Sequence, residues 1–338
     1  MLPSLPYVGI VVPTIREDSI TRFLKEWEME FLSYPNLILF IVEDNPQKSF
    51  TLEASDKIKI SHFSWADIDS DLGDKSWIIP RRTDCIRSYG YYKAYQEGVD
   101  ILITLDDDCY PTEKEPYLIK TYISNLSLKV STEWFNTINA RFDGHNGFYP
   151  RGFPYEDRGK EVVLSHGLWD HIPDFDGHTQ LANPDIRVKN IRTEASVVPR
   201  HILYPMCGMN VAVKREVIPI FYFLLMGKTV DDQKHGMDRF GDIWAGLFSK
   251  KIIDHLDKAV VSGQPFIHHD RASHPHKNIE LEKDALSVND DLYDVVKNIT
   301  LTSNTYKDCY IELAEKIYHD HPYFKSLKQA MVCWISLF

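Results

Sequence analysis

The chain has 338 residues, of which 43% are hydrophobic and 26% charged, enough for one large or two modest globular domains. Its formal net charge of −11 at pH 7 argues against a nucleic-acid partner, because phosphates are neutralised by a basic face. An anionic substrate would therefore need local cations, either a metal ion or a few placed arginines.

The cysteines and the apolar segments indicate where the protein works. Five widely spaced cysteines without a CxxC pair are typical of reduced thiols, and we expect a cytoplasmic protein. Residues 1–6 lack the basic start of a signal peptide. The longest apolar run, residues 217–226, is too short to span a bilayer, so we predict no transmembrane segment.

The first third of the sequence predicts alternating strands and helices. Apolar spacing predicts helices over residues 18–31 and 84–96. Three apolar, β-branched runs are typical of buried strands, residues 7–12, 37–42 and 101–105, and residues 57–63 resemble a further strand. This β-α-β-β-α-β order predicts a doubly wound nucleotide-binding half, but the GxGxxG fingerprint of redox dinucleotide enzymes is absent.

Acidic residues follow the predicted strand at residues 101–105. Alternate residues of an extended chain point the same way, so Asp106 and Asp108 can face one ion while Asp107 faces elsewhere. Carboxylates at a strand end suit Mg²⁺ or Mn²⁺ together with a diphosphate. His269, after another apolar run, is a candidate further ligand. The alternatives are a solvated acidic turn and an ordinary surface histidine.

The middle of the chain, residues 136–200, is rich in Gly, Pro, His, Asp and aromatic residues and predicts long functional loops. Arg151 and Arg158 lie on a Gly/Pro-shaped segment where guanidinium groups could bind a diphosphate, although a solvated charged loop fits equally well. Asp174 and Asp176 follow among aromatic residues in a segment that could bind a sugar or be a structural loop.

Two further features complete the chain. Asp242 precedes a predicted helix and is either its N-cap or a carboxylate facing the substrate. From about residue 284 the apolar spacing becomes helical. We therefore expect a catalytic domain over residues 1–280 and a helical extension, residues 281–338, packed on it.

Several strings in chain order resemble the reversibly glycosylated polypeptides, the UDP-arabinopyranose mutases. Met206-Cys207-Gly208-Met209-Asn210 and Ser165-His166-Gly167-Leu168-Trp169 are the most specific. The other matching strings are residues 11–16, 104–109, 151–154, 172–176, 179–181 and 242–246. The resemblance covers nearly the whole chain.

The resemblance implies an α/β GT-A-like glycosyltransferase fold, with a mostly parallel central sheet flanked by helices and a helical C-terminal tail. It also implies a UDP-sugar substrate, Mn²⁺ or Mg²⁺ at Asp106 and Asp108, and interconversion of UDP-arabinopyranose and UDP-arabinofuranose for cell-wall polysaccharides. The protein could form homo- or hetero-oligomers. In the family the arginine matching Arg151 carries the sugar transiently, and the one matching Arg158 is required.

Two departures from the family pattern concern the site. The family usually has a pair of acids where this chain has Gly241-Asp242, and its lysine-rich nucleotide segment is rewritten here around Arg82, Asp84 and Arg87. We expect the nucleotide, with its diphosphate, to be bound by residues at the strand ends and in this segment: Pro13, Thr14, Arg16, Asp44, Arg82, Arg87 and Asp107.

Arg151 as sugar acceptor needs a proton acceptor, because a guanidinium is always protonated and has no free lone pair. Asp174, Asp176 and Asp242 are the candidate bases. Alternatively, Arg151 only stabilises charge and its glycosylation lies off the reaction path. Two other functions stay open: a metal-dependent UDP-sugar glycosyltransferase that uses a separate acceptor, and a non-catalytic UDP-sugar-binding protein.

Overall fold

The structure is a computed structural model that describes residues 5–113, 115–138, 148–188, 194–227, 237–270 and 274–338. Its strands are β1 (Val8–Thr14), β2 (Leu37–Glu43), β3 (Lys59–Phe63), β4 (Ile101–Leu105), β5 (Cys109–Pro111), β6 (Lys129–Val130), β7 (Lys160–His171), β8 (Ser196–Val198), β9 (Asn210–Lys214) and β10 (Ala259–His269). Its helices are α1 (Glu17–Ser33), α2 (Trp65–Leu72), α3 (Arg87–Glu97), α4 (Leu118–Leu126), α5 (Gly177–Ala182), α6 (Gly241–His255), α7 (Pro275–Asn298), α8 (Tyr306–Lys316) and α9 (Tyr323–Ile335). Short 3₁₀ segments cover Gly73–Ile78, Asp84–Ile86 and Arg215–Ile220.

One mixed sheet organises the chain, with the main strand order β3-β2-β1-β4-β9-β7-β10-β5. Strands β3, β2, β1 and β4 are parallel to one another, as the alternation of strands and helices predicts. Strand β9 is antiparallel to both of its neighbours, β4 and β7, and β7 pairs in parallel with β10. The predicted α/β class, with a central sheet flanked by helices and a helical C-terminal tail, is confirmed. The sheet is mixed rather than mostly parallel: β3, β2, β1 and β4 form one parallel part, and β7 with β10 forms a second.

Two apolar layers cover the faces of the sheet. One includes Phe23 and Trp27 of α1, which pack with the inner residues of β1 and β2. The other includes Tyr91 of α3, Trp244 of α6 and Trp334 of α9. Helices α7, α8 and α9 contribute buried residues to this second layer, because their apolar positions recur at helical spacing.

The helical tail begins earlier than expected. Pro275 begins α7. Proline is tolerated in the first turn of a helix because the backbone N–H groups of that turn have no carbonyl partner within the helix. The predicted boundary between residues 280 and 281 therefore falls inside α7. Among the residues that the structure describes, we find no helix long and apolar enough to cross a membrane.

The register of the parallel strands places the predicted site residues at one edge of the sheet. Thr14 pairs with Glu43 across β1 and β2, and the backbone N–H of Asp44 donates to the Thr14 carbonyl at 2.7 Å. Strand β10 ends at the same edge, where the backbone N–H of Asp270 donates to the Asp108 carbonyl at 2.9 Å. The carboxyl ends of β1, β2, β4 and β10 thus meet.

Candidate active site

A cavity of about 630 Å³ opens at this edge of the sheet. Its walls come from the strand ends, from the segments before α3, α5 and α6, and from the first turns of α7. The following residues predicted from the sequence line it: Arg16, Arg82, Arg87, Asp106, Asp108, Asp174, Asp176, Asp242 and His269. A volume of this size is that of a small-molecule or cofactor site.

The acidic triplet divides as the strand alternation predicts. Asp106 and Asp108 face the cavity, whereas Asp107 is buried and accepts hydrogen bonds from Thr14 Oγ1 at 2.7 Å and Arg16 Nη2 at 2.5 Å. Burial raises the pKa of Asp107 against the opposing charge of Arg16. Asp107 therefore holds the end of β1 against the end of β4, and the carboxylates on either side of it face the ligand.

Arg87 positions Asp106. Its buried guanidinium donates to the carbonyls of Asp84 at 2.9 Å and Gly208 at 3.0 Å, to Thr104 Oγ1 at 3.0 Å and to the Asp106 carboxylate. A guanidinium has five N–H donors in a fixed fork, so most of them are already used inside the protein. Arg87 thus fixes the direction of Asp106 and has little capacity left for a diphosphate.

Asp106, Asp108 and His269 carry the kinds of ligand atom that suit a divalent cation, although their atoms are not gathered within 4.8 Å of one another in the way that those of His171, His268 and Asp270 are. His269 Nδ1 lies 2.9 Å from the Ile172 carbonyl. A carbonyl only accepts, so Nδ1 carries the proton and Nε2 keeps its lone pair, the arrangement typical of a metal-ligating imidazole. Two carboxylates and one such imidazole lining one cavity are a suitable ligand set for Mn²⁺ or Mg²⁺, with the diphosphate and water completing the coordination.

Asp44 is buried and is not among the residues that line the cavity. Its Oδ1 accepts from Trp65 Nε1 at 2.7 Å and from the backbone N–H of Arg82 at 3.0 Å. Burial raises the Asp44 pKa, and the hydrogen bonds from Arg82 and Trp65 oppose the rise. The Arg82 guanidinium lies 4.9 Å above the Trp65 ring. Pro13, also predicted for the nucleotide site, is buried in β1 and does not line the cavity.

Asp242 is the carboxyl group best placed for acid–base chemistry. It accepts hydrogen bonds from the backbone N–H groups of Gly208 at 2.7 Å and Ile243 at 2.9 Å. Removal from water and the neighbouring charges of Asp84 and Asp174 raise the Asp242 pKa to about 7. A group that titrates near neutrality can both give and take a proton.

The other two candidate bases, Asp176 and Asp174, differ in their hydrogen bonding and their position. Asp176 is the N-cap of α5, accepting from the backbone N–H groups of His178 and Thr179 at 3.0 Å and from Thr179 Oγ1 at 2.6 Å. Burial acts to raise the pKa of Asp176, but these hydrogen bonds outweigh it and lower the pKa. Asp176 is therefore committed to the helix start. Asp174 lines the cavity beside Cys207.

The structure does not bring the two predicted loop arginines into this cavity. Arg151 lies exposed on a turn, and Arg158 donates from Nη2 to the Phe153 carbonyl at 2.7 Å. The Arg158 guanidinium also stacks 3.8 Å above the Tyr155 ring. Within the predicted loop region, residues 136–200, residues 139–147 and 189–193 lie outside the described residues. Within the described chain, neither arginine is among the residues lining the cavity.

Sequence reasoning missed the wall contributed by the first turns of α7. His274, Lys277 and Glu282 line the cavity, together with Arg239 from the segment before α6. Glu282 accepts from Arg239 Nε at 2.9 Å and from the backbone N–H of Gly177 at 2.8 Å. Pro275 was the available signal, since proline favours the first turn and would have moved the predicted start of the helix into the site.

Comparison with known proteins agrees with the resemblance read from the sequence strings. Residues 6–338 match the family described as "Reversibly glycosylated polypeptide". "UDP-arabinopyranose mutase 1" of Oryza sativa subsp. japonica is 35% identical over 352 residues, covering 99% of this chain and 92% of its own. "Probable UDP-arabinopyranose mutase 4" of Arabidopsis thaliana is 34% identical over 341 residues, covering 97% of this chain and 89% of its own.

The likeness to solved structures is weaker. Glucosyl-3-phosphoglycerate synthase from Mycobacterium tuberculosis, solved with Mg²⁺ and UDP, is 9% identical, covers 86% of this chain and 78% of its own, and gives a TM-score of 0.38. We draw no functional conclusion from a similarity of this size. The match over residues 6–338 and the identity with the plant proteins confirm the predicted family, and the chain is a member of the reversibly glycosylated polypeptide family.

Proposed function

We propose that this protein is a UDP-sugar mutase that interconverts UDP-arabinopyranose and UDP-arabinofuranose, or a closely related pair. The proposal is supported by relatives of that name over nearly the whole chain. The observation that carries it in the structure is the joint placement of Asp106, Asp108, His269 and Asp242 in one cavity. Such a cavity would offer carboxylate and imidazole ligands to a cation and a titratable carboxyl group to the sugar.

The residues at the strand ends would bind the nucleotide. We assign the nucleoside to the region of Asp44 and Arg82, where a buried carboxylate is held by the Trp65 indole. Arg16, which is fixed by Asp107 and lines the cavity, would face the diphosphate. Mn²⁺ or Mg²⁺ held by Asp106, Asp108 and His269 would supply positive charge to the departing diphosphate.

The ring contraction moves one proton. The bond from the anomeric carbon to the diphosphate breaks, the ring opens and closes on a different hydroxyl, and the diphosphate returns to the anomeric carbon. The hydroxyl that closes the new ring loses a proton, and the old ring oxygen gains one. Asp242, with a pKa of about 7, is our candidate to take the first proton and return the second. Residues that bind the nucleotide would keep the cleaved UDP in the cavity, so that recapture stays unimolecular.

Reversible attachment of the sugar to Arg151 is a separate part of the proposal. The new bond would join the anomeric carbon to a guanidinium nitrogen, whose proton would pass to a carboxylate, and the old bond to UDP would break. Because Arg151 lies on an exposed turn, this step requires its turn to approach the cavity when substrate is bound. Arg158, packed on Tyr155, would position that turn.

The test is direct. Purified protein incubated with UDP-arabinofuranose and Mn²⁺ should yield UDP-arabinopyranose by chromatography, with no net release of UDP. Net UDP release that depends on an added acceptor would identify a glycosyltransferase instead. UDP binding by calorimetry without isomerisation would identify a binding protein.

The location of the protein, its domain division and its assembly are further parts of the proposal. We propose a cytoplasmic protein, consistent with free thiols at Cys85, Cys109, Cys207, Cys309 and Cys333. We also keep the division into residues 1–280 and 281–338, with α7 crossing the boundary. Assembly into homo- or hetero-oligomers is a prediction that size-exclusion chromatography with light scattering would check.

A further inference from the structure

A second group of metal-ligating side chains lies beside the candidate active site. His171 ends β7, His268 lies near the end of β10, and Asp270 follows β10. One ligand atom from each of these three residues lies within 4.8 Å of the other two. Within the described chain, none of the three lines the cavity that His269 faces. Successive side chains of a strand point to opposite faces, so His268 and Asp270 lie on the side of β10 away from His269.

The three side chains converge on one oxygen. His268 Nε2 lies 2.9 Å from Asp270 Oδ1, and His171 Nδ1 lies 3.4 Å from the same oxygen. The two imidazole rings stack with their centroids 4.6 Å apart and an angle of 15° between their planes. Each of the three side chains is about one-third exposed, so an ion can reach the group from solvent.

The position of His171 departs from strand geometry. His171 pairs with His269 in the register of β7 and β10, and paired residues of neighbouring strands project to the same face. The His171 ring instead stacks on His268 and approaches Asp270. His171 has φ of 74°, a left-handed backbone that is uncommon for a residue other than glycine. This local turn brings its imidazole to the side of the sheet where His268 lies.

We propose that His171, His268 and Asp270 form a second cation site, selective for a Zn²⁺-like transition metal. Two imidazoles and one carboxylate are a set that Zn²⁺ accepts, with a fourth position left for water or another ligand. Mg²⁺ prefers oxygen ligands and would favour Asp106 and Asp108 in the active-site cavity. Each ring nitrogen that binds the ion must lose its proton, which moves to the other nitrogen of the ring or to solvent.

Arg22 leaves room for the ion. Its Nη1 binds Asp270 Oδ2 at 3.0 Å, and its guanidinium stacks 3.9 Å from the centre of the Tyr110 ring. Oδ1 of the same carboxylate remains directed at the two imidazoles. Without metal, the His268 N–H would satisfy Oδ1, and His171 Nδ1 would donate to the His269 carbonyl at 3.3 Å, so the ion would take the place of one proton on each ring.

Backbone hydrogen bonds connect the second cation site to the active-site cavity. The N–H of Asp270 donates to the Asp108 carbonyl at 2.9 Å, and the Ile172 N–H donates to the His269 carbonyl at 3.4 Å. An ion at the second site would therefore restrain the segment that carries Asp108 and His269. This inference does not depend on the mutase proposal, because it concerns metal binding alone.

Calorimetric titration with Zn²⁺, in excess Mg²⁺ and without nucleotide, tests the proposal on the full chain. Wild type should bind one Zn²⁺ that His268→Gln and His171→Asn bind at least about 100-fold more weakly, since losing a ligand costs more than losing an outer-shell partner. Co²⁺ as a spectroscopic substitute should give visible absorption bands in wild type that both variants lose. Circular dichroism at matched temperature would show that these partly exposed substitutions leave the fold intact.

Two variants separate the second site from its neighbours. His269→Gln removes an imidazole of the active-site cavity, and His178→Ala removes an exposed histidine on α5. Both should bind the Zn²⁺ ion as wild type does. Absence of Zn²⁺ binding by wild type, or equal loss in His269→Gln and His268→Gln, would overturn the proposal. Zn²⁺ affinity unchanged in His268→Gln and His171→Asn would also overturn it.

Discussion

Gly241 packs against Cys85 so closely that a Cβ at residue 241 would overlap the Cys85 sulfur atom. The carbonyl of Phe223 blocks the same position. The resemblance to the family predicts an acid at this position, whereas in this chain core atoms occupy the space that its side chain would need. Asp242 therefore faces the cavity without that neighbour, and the nearby carboxylates of Asp84 and Asp174 come from other segments.

Placing an acid at residue 241 should destabilise the protein. Gly241→Asp should lower the free energy of unfolding by about 1–3 kcal/mol, the usual cost of overpacking, with a further cost if the carboxylate is buried. Urea denaturation would measure it. Gly241→Ala separates the size effect from the charge, and equal stability of Gly241→Asp and wild type would show that the backbone of α6 can shift to make space.

Asp242→Asn should reduce mutase turnover by about 10²–10⁴-fold, the usual contribution of a positioned acid–base group. UDP affinity should change little, because the Asp242 carboxylate accepts from the backbone N–H groups of Gly208 and Ile243 and not from residues assigned to the nucleotide. Steady-state kinetics beside UDP calorimetry would check both. Undiminished turnover would remove Asp242 from the proposed proton transfer, and Asp185→Asn, an exposed acid, is the control.

The raised pKa of Asp242 also predicts how stability depends on pH. The folded protein holds a proton on Asp242 up to about pH 7, whereas the unfolded chain releases it near its ordinary value of 3.8. The folded state therefore binds more protons between these values, and the contribution of Asp242 to the free energy of unfolding falls as pH rises through this window. Denaturation at pH 5 and pH 8 should show a smaller decline in Asp242→Asn than in wild type. An identical decline would contradict the assignment.

Arg87→Met should destabilise the protein by about 3–5 kcal/mol, because it leaves the Asp106 carboxylate without its buried partner. It should also weaken Mn²⁺ binding in the presence of UDP, since Asp106 loses its fixed direction. Denaturation and metal titration would measure the two effects. Arg215→Met removes a partly exposed guanidinium stacked on Tyr95 and should cost much less.

Arg151→Ala should abolish transfer of label from a radiolabelled UDP-sugar to the protein, together with mutase turnover, if the sugar travels through Arg151. Arg187→Ala is the matched control, because Arg187 is exposed and bonds the carbonyls of Pro184 and Ile186. Turnover that survives the loss of label would place glycosylation of Arg151 off the reaction path.

Strands β1, β2 and β4 of the parallel half were predictable because they are buried on both faces. Ile101–Leu105 reads as a continuous apolar run and is β4 with the same bounds. Helix α2 was missed: its sequence is acidic and only Ile68 and Leu72 are buried, so its apolar periodicity is weak. The start is marked instead by a capping box between Ser64 and Asp67, a signal that the sequence did contain.

The candidate site was predictable where the end of a strand determines the direction of the side chains that follow it. The alternation that separates Asp107 from Asp106 and Asp108 is a local rule, and the structure follows it. The near-neutral pKa of Asp242 was not predictable, because Asp84 and Asp174 approach it only through the tertiary fold. The same holds for Arg87, whose partners Thr104 and Gly208 lie on other segments.

Glu282 connects α5, α7 and the cavity through single hydrogen bonds to Gly177 and Arg239. The C-terminal part of the chain is therefore not an appendage that could be trimmed without consequence. A shortened protein ending ahead of α7 would lose one wall of its binding site as well as part of its core. A ligand bound in the cavity should therefore slow hydrogen exchange in the first turns of α7, because these turns form one wall of the binding site.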